Sequence, residues 1–452
     1  MSESLFGPIF VPDEIREAVG GRAWLQAMLD AEAALALAEV RAGLIPPAAA
    51  EAISECCDAA RFDPEEIGHE GRAAGNPVPA LVKALTAAVS EVSEDAARHV
   101  HKGATSQDIT DTAAMLVARR ALDLILAEIE GIAAACARLA NDHRETTMPG
   151  RTLLQQALPI TFGLKAAGWL VALLDARRRL LDVREGRLAA QLGGAAGTLA
   201  SLGPDGTRVL HEFARELDLA EPVVPWHTAR SRIAELGSAL ALGAGVVHKL
   251  ALDVILMAQT EVAEAAEPSG GGRGGSSTLP HKRNPIGSTL AAACACRVPP
   301  LAQTLQAAMA QEHERAALGA WHSEWETLSE ALALTGGAAS AMREVVEGLQ
   351  VHPELMRENL DATDGLLLAE NVTTIVAGRL GRMEAHELVQ AASHRTLDRG
   401  TSLREELLAE PELRGALSEE EIEAALDPER YLGSAEAFVD RALDFYRKEV
   451  PA

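Results

Sequence analysis

The chain has 452 residues, a formal net charge of −25, and 48% hydrophobic, 24% charged and only 3% aromatic residues. Such an apolar share excludes disorder for the bulk of the chain. The acidic balance excludes a nucleic-acid partner, which needs a basic face for counterion release. Few aromatics disfavour a large β architecture, whereas abundant Ala, Leu, Glu and Arg favour helix, so an all-α protein is expected. The opening MSESLFGPIF has neither a basic start nor a long apolar core, so no signal peptide is expected. Five cysteines, an odd number with two close pairs, fit a reduced, cytoplasmic chain. Uncharged apolar stretches such as 236–247 fall short of the roughly 18 residues of a membrane span, so no membrane partner is expected.

Residues 1–110 carry short helical patterns with many breaks. Trp24, Leu25, Met28 and Leu29 recur at helical spacing in a run that Gly43 and the Pro46–Pro47 pair stop. Next comes HVHKGATSQDITDTAAML. Gly103 breaks the chain, and Thr105 with Asp108 forms a capping pattern. The plain reading is an N-cap. The functional reading is a helix N-terminus whose N–H groups and hydroxyls, Thr105 and Ser106, bind an anion beside His101 and Lys102. His99 and His101 lack further ligands at useful spacing, so no metal is expected.

The segment MPGRTLLQQALPITFGLKAAGW reads as a second helix start. Thr152 and Gln155 make a capping box, Arg151 adds a cation, and Pro159 is expected to kink the helix. Residues 111–350 read as long helices. One candidate, 233–267, would be about 50 Å long. Its centre is apolar on every face apart from His248, Lys249 and Asp253, so a bundle shared between subunits is expected to bury it.

The most specific segment is GGGRGGSSTLPHKRNPIGS. Asn284 is an N-cap followed by Pro285. Ser276, Ser277, His281, Lys282 and Arg283 stand in the glycine-rich stretch before it, which reads as a catalytic loop. A phosphate loop would need Ser or Thr after Lys282, and Arg283 stands there. Two looser segments are PWHTARSRIAE, with His227, Arg230 and Arg232, and QEHERAALGAWHSEWETL, with His313, Arg315, His322 and Glu324. Charges on a solvated helix face are the default for both. Residues 351–452 return to short amphipathic helices. The expected domains are 1–110, 111–350 and 351–452.

GSSTLPHKRNP resembles the signature of the fumarase/aspartase superfamily, with Leu279 in place of the usual Met. HKGATSQD and GRTLLQQALP resemble its other two shared regions, in the same order, and the likeness runs over nearly the whole chain. PWHTARSR, QEHERAALGAWHSEWETL and GNPVPALVKAL are similar to the superfamily's 3-carboxy-cis,cis-muconate cycloisomerases. The resemblance implies a three-domain all-α fold with a long central helical bundle and a homotetramer whose active sites are shared between subunits. It also implies a small tricarboxylate substrate and no cofactor. Ser276 would transfer the proton, with Lys282 and His101 as further catalytic groups. Thr105, Ser106, Arg151, Thr152, Gln155, Arg230, Arg232, Ser277, Asn284 and Arg315 would bind substrate. Superfamily members that release an amine or water carry histidine where this chain has Leu153. An amine or hydroxide needs a general acid to leave, whereas a carboxylate does not. Leu153 therefore disfavours the alternative, an adenylosuccinate- or argininosuccinate-type lyase. The intact signature disfavours a catalytically silent structural homologue.

Overall fold

The computed structural model of the chain describes residues 5–268, 275, 279, 281–315 and 318–450. Helix dominates. Short helices open the chain, among them Gly21–Ala42, Pro47–Cys56 and Val78–Val92. Gly43 ends the first of these at φ 79°, a left-handed C-terminal position that favours glycine. Long helices follow at Ser106–Asp142, Phe162–Gly186, Ser231–Met257 and Ala320–Glu347, and short ones return after Pro353.

Two elements depart from the sequence reading. The helix expected over 233–267 stops at Met257, whose carbonyl accepts the Glu264 N–H after Ala263 turns to φ 49°. Ala265–Ala266 then pairs with Gln350–Val351 as a small antiparallel ladder. The second departure is the segment read as a helix start at Thr152. It is an antiparallel hairpin, Thr147–Thr152 against Gln155–Thr161, with Pro149 opposite Pro159 and Thr152 opposite Gln155. Leu153 and Leu154 form its two-residue turn at φ 51° and 64°, the type I′ geometry that suits hairpins. Thr152 and Gln155 thus flank a turn instead of capping a helix, and the next helix begins at Phe162.

The chain divides into two compact units. The first comprises residues 1–129, 175–249 and 290–342; the second comprises 130–174, 250–289 and 343–452. In the first, Gly21–Ala42 packs against Pro47–Cys56 and Gly206–Glu216, burying Leu25, Leu29 and Leu35. In the second, Val372, Val376, Val389, Leu403, Leu407 and Ile422 form the core of the C-terminal helices. All five cysteines are free thiols.

The Ser231–Met257 helix is, by length and composition, apolar enough to cross a membrane, although Lys249 and Asp253 interrupt its uncharged run. Its Asp253 carboxylate accepts the Trp169 indole N–H at 2.6 Å, a contact made inside protein. Leu242, Leu252 and Leu256 on the same helix remain more than two-fifths exposed.

Candidate active site

In the first unit, three segments far apart in sequence are tied together by buried polar groups. Asp108, in the first turn of Ser106–Asp142, accepts N–H groups from Thr105, Gly193 and Gly194, each at 2.9 Å. Its Oδ1 lies 2.7 Å from Nε2 of buried His227. One turn on, Asp111 accepts both terminal nitrogens of Arg230, at 2.7 and 3.0 Å, and the Trp321 indole N–H at 2.9 Å. Arg230 also donates to Glu324. Burial alone would weaken the charge on Arg230, but Asp111 and Glu324 outweigh it and raise its pKa. Burial pushes Glu324 up in spite of Arg230.

This corrects the sequence assignment of Arg230 to substrate. Its side chain is 1% exposed and engaged by two carboxylates, so it holds the scaffold together. Arg232 donates to the Arg187 carbonyl at 2.9 Å. Arg315 stands differently. Its guanidinium donates to Thr105 Oγ1 at 2.7 Å, at the head of the helix that Ser106 begins. The loop carrying Arg315 is pinned by Thr228 Oγ1 to the His313 carbonyl, 2.9 Å, and by Gln311 to Glu324, 3.2 Å. Thr105, Ser106 and Arg315 therefore gather hydroxyls, helix-head N–H groups and a guanidinium in one place, an arrangement suited to a carboxylate.

His101 leads into the same turn with φ 59°. Its Nδ1 lies 2.6 Å from Glu32 Oε1, and Glu32 is buried. Lys102 donates to the Leu44 carbonyl at 3.0 Å. Gly103, at φ 79°, cannot be replaced without a clash, because a Cβ there would lie 2.4 Å from Leu202.

In the second unit, Arg151 donates twice to Glu264, at 2.8 and 2.7 Å, and Asn359 donates to the same carboxylate at 3.0 Å. Arg151 is thus paired inside its own unit. Thr152 and Gln155 are exposed at the hairpin tip beside Leu153, 96% exposed, and Leu154, 74% exposed. Ser276 and Ser277 lie outside the described residues. Lys282 is exposed, and Asn284 is partly buried just before the helix Ile286–Ala295.

That helix start already holds a carboxylate. Glu267 accepts the N–H groups of Gly287 and Ser288, at 2.9 and 2.7 Å, and the Ser288 hydroxyl at 2.6 Å. Glu267 thus occupies the N–H groups of Gly287 and Ser288 and joins the two ends of the loop. Glu32, Asp108, Asp111, Glu264, Glu267 and Glu324 are carboxylates that hold side chains or backbone groups within their own units, and sequence reasoning missed them or treated them as caps and surface charges. Only Asp108 left a local signal, its spacing from Thr105.

The residues fit known proteins over the whole chain. A lyase family model matches residues 11–299, and a model of the adenylosuccinate lyase C-terminus matches 365–442. The chain is 48% identical to a 3-carboxy-cis,cis-muconate cycloisomerase of Bradyrhizobium diazoefficiens, covering 98% of both chains. It is 46% identical to a nitrosuccinate lyase of Streptomyces davaonensis, over 100% of this chain and 96% of that one. The structure of a 3-carboxy-cis,cis-muconate lactonizing enzyme from Pseudomonas putida matches with a TM-score of 0.94 at 44% identity, covering 99% of this chain and 100% of that one. With its signature loop, its helix-head site and a lyase match over more than half its length, the chain belongs to the fumarase/aspartase superfamily.

Proposed function

We propose that this protein is a cycloisomerase that closes 3-carboxy-cis,cis-muconate to 4-carboxymuconolactone, working without a cofactor as a cytoplasmic homotetramer with sites shared between subunits. The observation that carries the reading is the chain-long similarity to proteins of that name. In the reaction a substrate carboxylate oxygen adds to one carbon of a double bond. The electron pair moves to the neighbouring carbon and its carboxylate, and that carbon takes one proton. The reaction is an isomerisation, so nothing else enters or leaves. Thr105, Ser106 and Arg315 receive a carboxylate in a chain whose overall charge repels it. Ser276 delivers the proton, with Lys282 stabilising the alkoxide that remains until solvent reprotonates it. The exposed hairpin tip and the apolar side of Ser231–Met257 supply surfaces for neighbouring subunits.

One observation favours a second reading. The similarity to a nitrosuccinate lyase is nearly as high, and Leu153 does not separate the two. Nitrite, like a carboxylate, is a weak base that leaves without a general acid. Purified protein is therefore to be given each substrate. Loss of the conjugated-diene absorbance with 3-carboxy-cis,cis-muconate, without nitrite release from nitrosuccinate, supports the cycloisomerase. The reverse result assigns the lyase.

A further inference from the structure

We propose that Glu32 is a positioning residue that holds His101 as an imidazolium, presenting a fixed Nε2–H to a substrate carboxylate at the Thr105–Arg315 site. The inference rests on the cycloisomerase reading for the identity of that carboxylate, but the Glu32–His101 pair stands on its own geometry. His101 Nδ1 is 2.6 Å from Glu32 Oε1. The Glu32 side chain is 1% exposed and the His101 side chain 19%. With Nδ1 engaged, the ring's other nitrogen points away from Glu32, and no partner for Nε2 is present among the described residues. The His101 backbone is held at φ 59°, a region unfavourable for a non-glycine residue and kept where surroundings require it.

The groups facing His101 favour its charged form. Glu32 comes from the Gly21–Ala42 helix and Asp108 from the Ser106–Asp142 helix. Burial by itself lowers the imidazole pKa, but the Glu32 charge, its hydrogen bond and Asp108 raise it above the ordinary value. Glu39 lies two helical turns from Glu32 with both carboxyl oxygens buried and unpartnered. Burial pushes it up to about 8, against the pull of Lys102 and with the push of Glu32. Cys57, the other titratable neighbour of Glu32, is a thiol that burial keeps protonated. Of the two acidic residues that face the His101 ring, Glu32 is the one in direct contact. The positive charge is fixed without a long flexible side chain, and a site in an acidic protein gains a cation that does not wander.

The test is exchange of the histidine C2 proton with deuterium, read by mass spectrometry at each histidine from pH 5 to 9 on the intact protein. His99, in the same stretch of chain, is the internal reference. In the wild type the His101 midpoint should lie above that of His99. In Glu32→Gln it should fall by at least one unit, and His99 should not move. The same variant should raise KM more than it lowers kcat, with the alkaline fall of kcat/KM shifted down by a similar amount. A wild-type His101 midpoint at or below that of His99 overturns the proposal, and so does a midpoint that Glu32→Gln leaves in place. The wild-type measurement decides even where the variant does not fold. A raised midpoint in a protein that leaves the diene untouched upholds the pair and refutes the assigned reaction.

Discussion

His227 and Asp108 are separated by 119 residues, yet His227 Nε2 meets Asp108 Oδ1 at 2.7 Å in a fully buried contact. Asp108 also takes three backbone N–H groups, so both of its oxygens are doubly engaged. It thereby fixes Thr105, and with it the helix head, against the 193–194 turn. Asp108→Asn keeps the shape but turns an amide NH2 toward groups that are themselves donors. The expected cost is about 3 kcal/mol or more, because buried donors lose their acceptor. Urea unfolding should register that loss, and KM should rise with it. Wild-type stability in Asp108→Asn would show that the network is dispensable.

Arg151 and Arg315 were equivalent cations in the sequence, and the structure separates them. Arg151→Ala leaves Glu264, fully buried at 0% exposure, without its bidentate partner. The expected loss is about 3–5 kcal/mol of stability. Arg315→Ala strands only a hydroxyl, so unfolding should move little while KM rises strongly. Arg315→Lys should restore part of the binding, because a point charge does not copy the guanidinium fork. Unfolding curves and steady-state kinetics on the three variants decide the assignment. Equal effects on KM from both alanine variants would return Arg151 to the substrate.

The helices were legible because composition and 3.6-residue periodicity are local signals. Gly21–Ala42 and the start at Ser106 fall where Gly43 and the Thr105–Asp108 spacing put them. The hairpin was not legible, because Thr152 and Gln155 satisfy a capping pattern as well as they flank a two-residue turn. Two leucines are also the wrong residues to announce a type I′ turn, which favours Asn-Gly. The carboxylates that pair with Arg230 and Arg151 were illegible for a different reason. Arg230 meets Glu324 across 94 residues and Arg151 meets Glu264 across 113. A cation's partner at that range is set by tertiary packing, so a free-looking arginine in sequence proved to be a structural one. The segment that carries Arg315 stood out through its resemblance, and its contact with substrate is a proposal.

Glu39 gives a pH dependence of stability with a definite sign. Its carboxyl stays protonated in the fold up to about 8, against an ordinary value of 4.5. Between these values the unfolded chain releases a proton that the folded chain keeps, so the contribution favouring the fold is full below 4.5 and is lost as pH rises toward 8. At neutral pH the loss is on the order of 3 kcal/mol. Glu39→Gln removes the titrating group at nearly constant shape. Its stability relative to wild type should be near zero at about pH 4, rise through the neutral range and level off above pH 8. Parallel stability–pH curves for the two proteins would mean that Glu39 ionises normally in the fold.

Ser276 and Ser277 are adjacent in the loop and chemically alike, so comparing them isolates position. If Ser276 transfers the proton, Ser276→Ala should lower kcat by about 10²–10⁴-fold, the usual contribution of a general acid–base group. Ser277→Ala should cost far less. Glu267 ties the loop ends at Gly287 and Ser288, so both variants should unfold like wild type. Small, equal losses would move the proton to another group.

The hairpin tip joins strain, exposure and assembly in one measurement. Leu153 and Leu154 sit at φ 51° and 64°, each costing about 1–2 kcal/mol for a residue with a Cβ. They are also 96% and 74% exposed in the single chain, so neither packing nor conformation within it explains leucine there. On the proposed shared site, a neighbouring subunit that receives the tip would explain it, because leucines would add apolar contact beside a substrate whose carboxylates are held elsewhere. Replacing the pair by Asn-Gly supplies the residues that the turn prefers. The variant hairpin should therefore fold at least as well, and the melting temperature should stay level or rise. Activity should nonetheless fall about tenfold or more, a barrier change of about 1.4 kcal/mol, while sedimentation still reports the wild-type assembly. Strain without function predicts the opposite pattern, a more stable protein with undiminished kcat/KM. An active monomer at assay concentration would remove the need for any shared site.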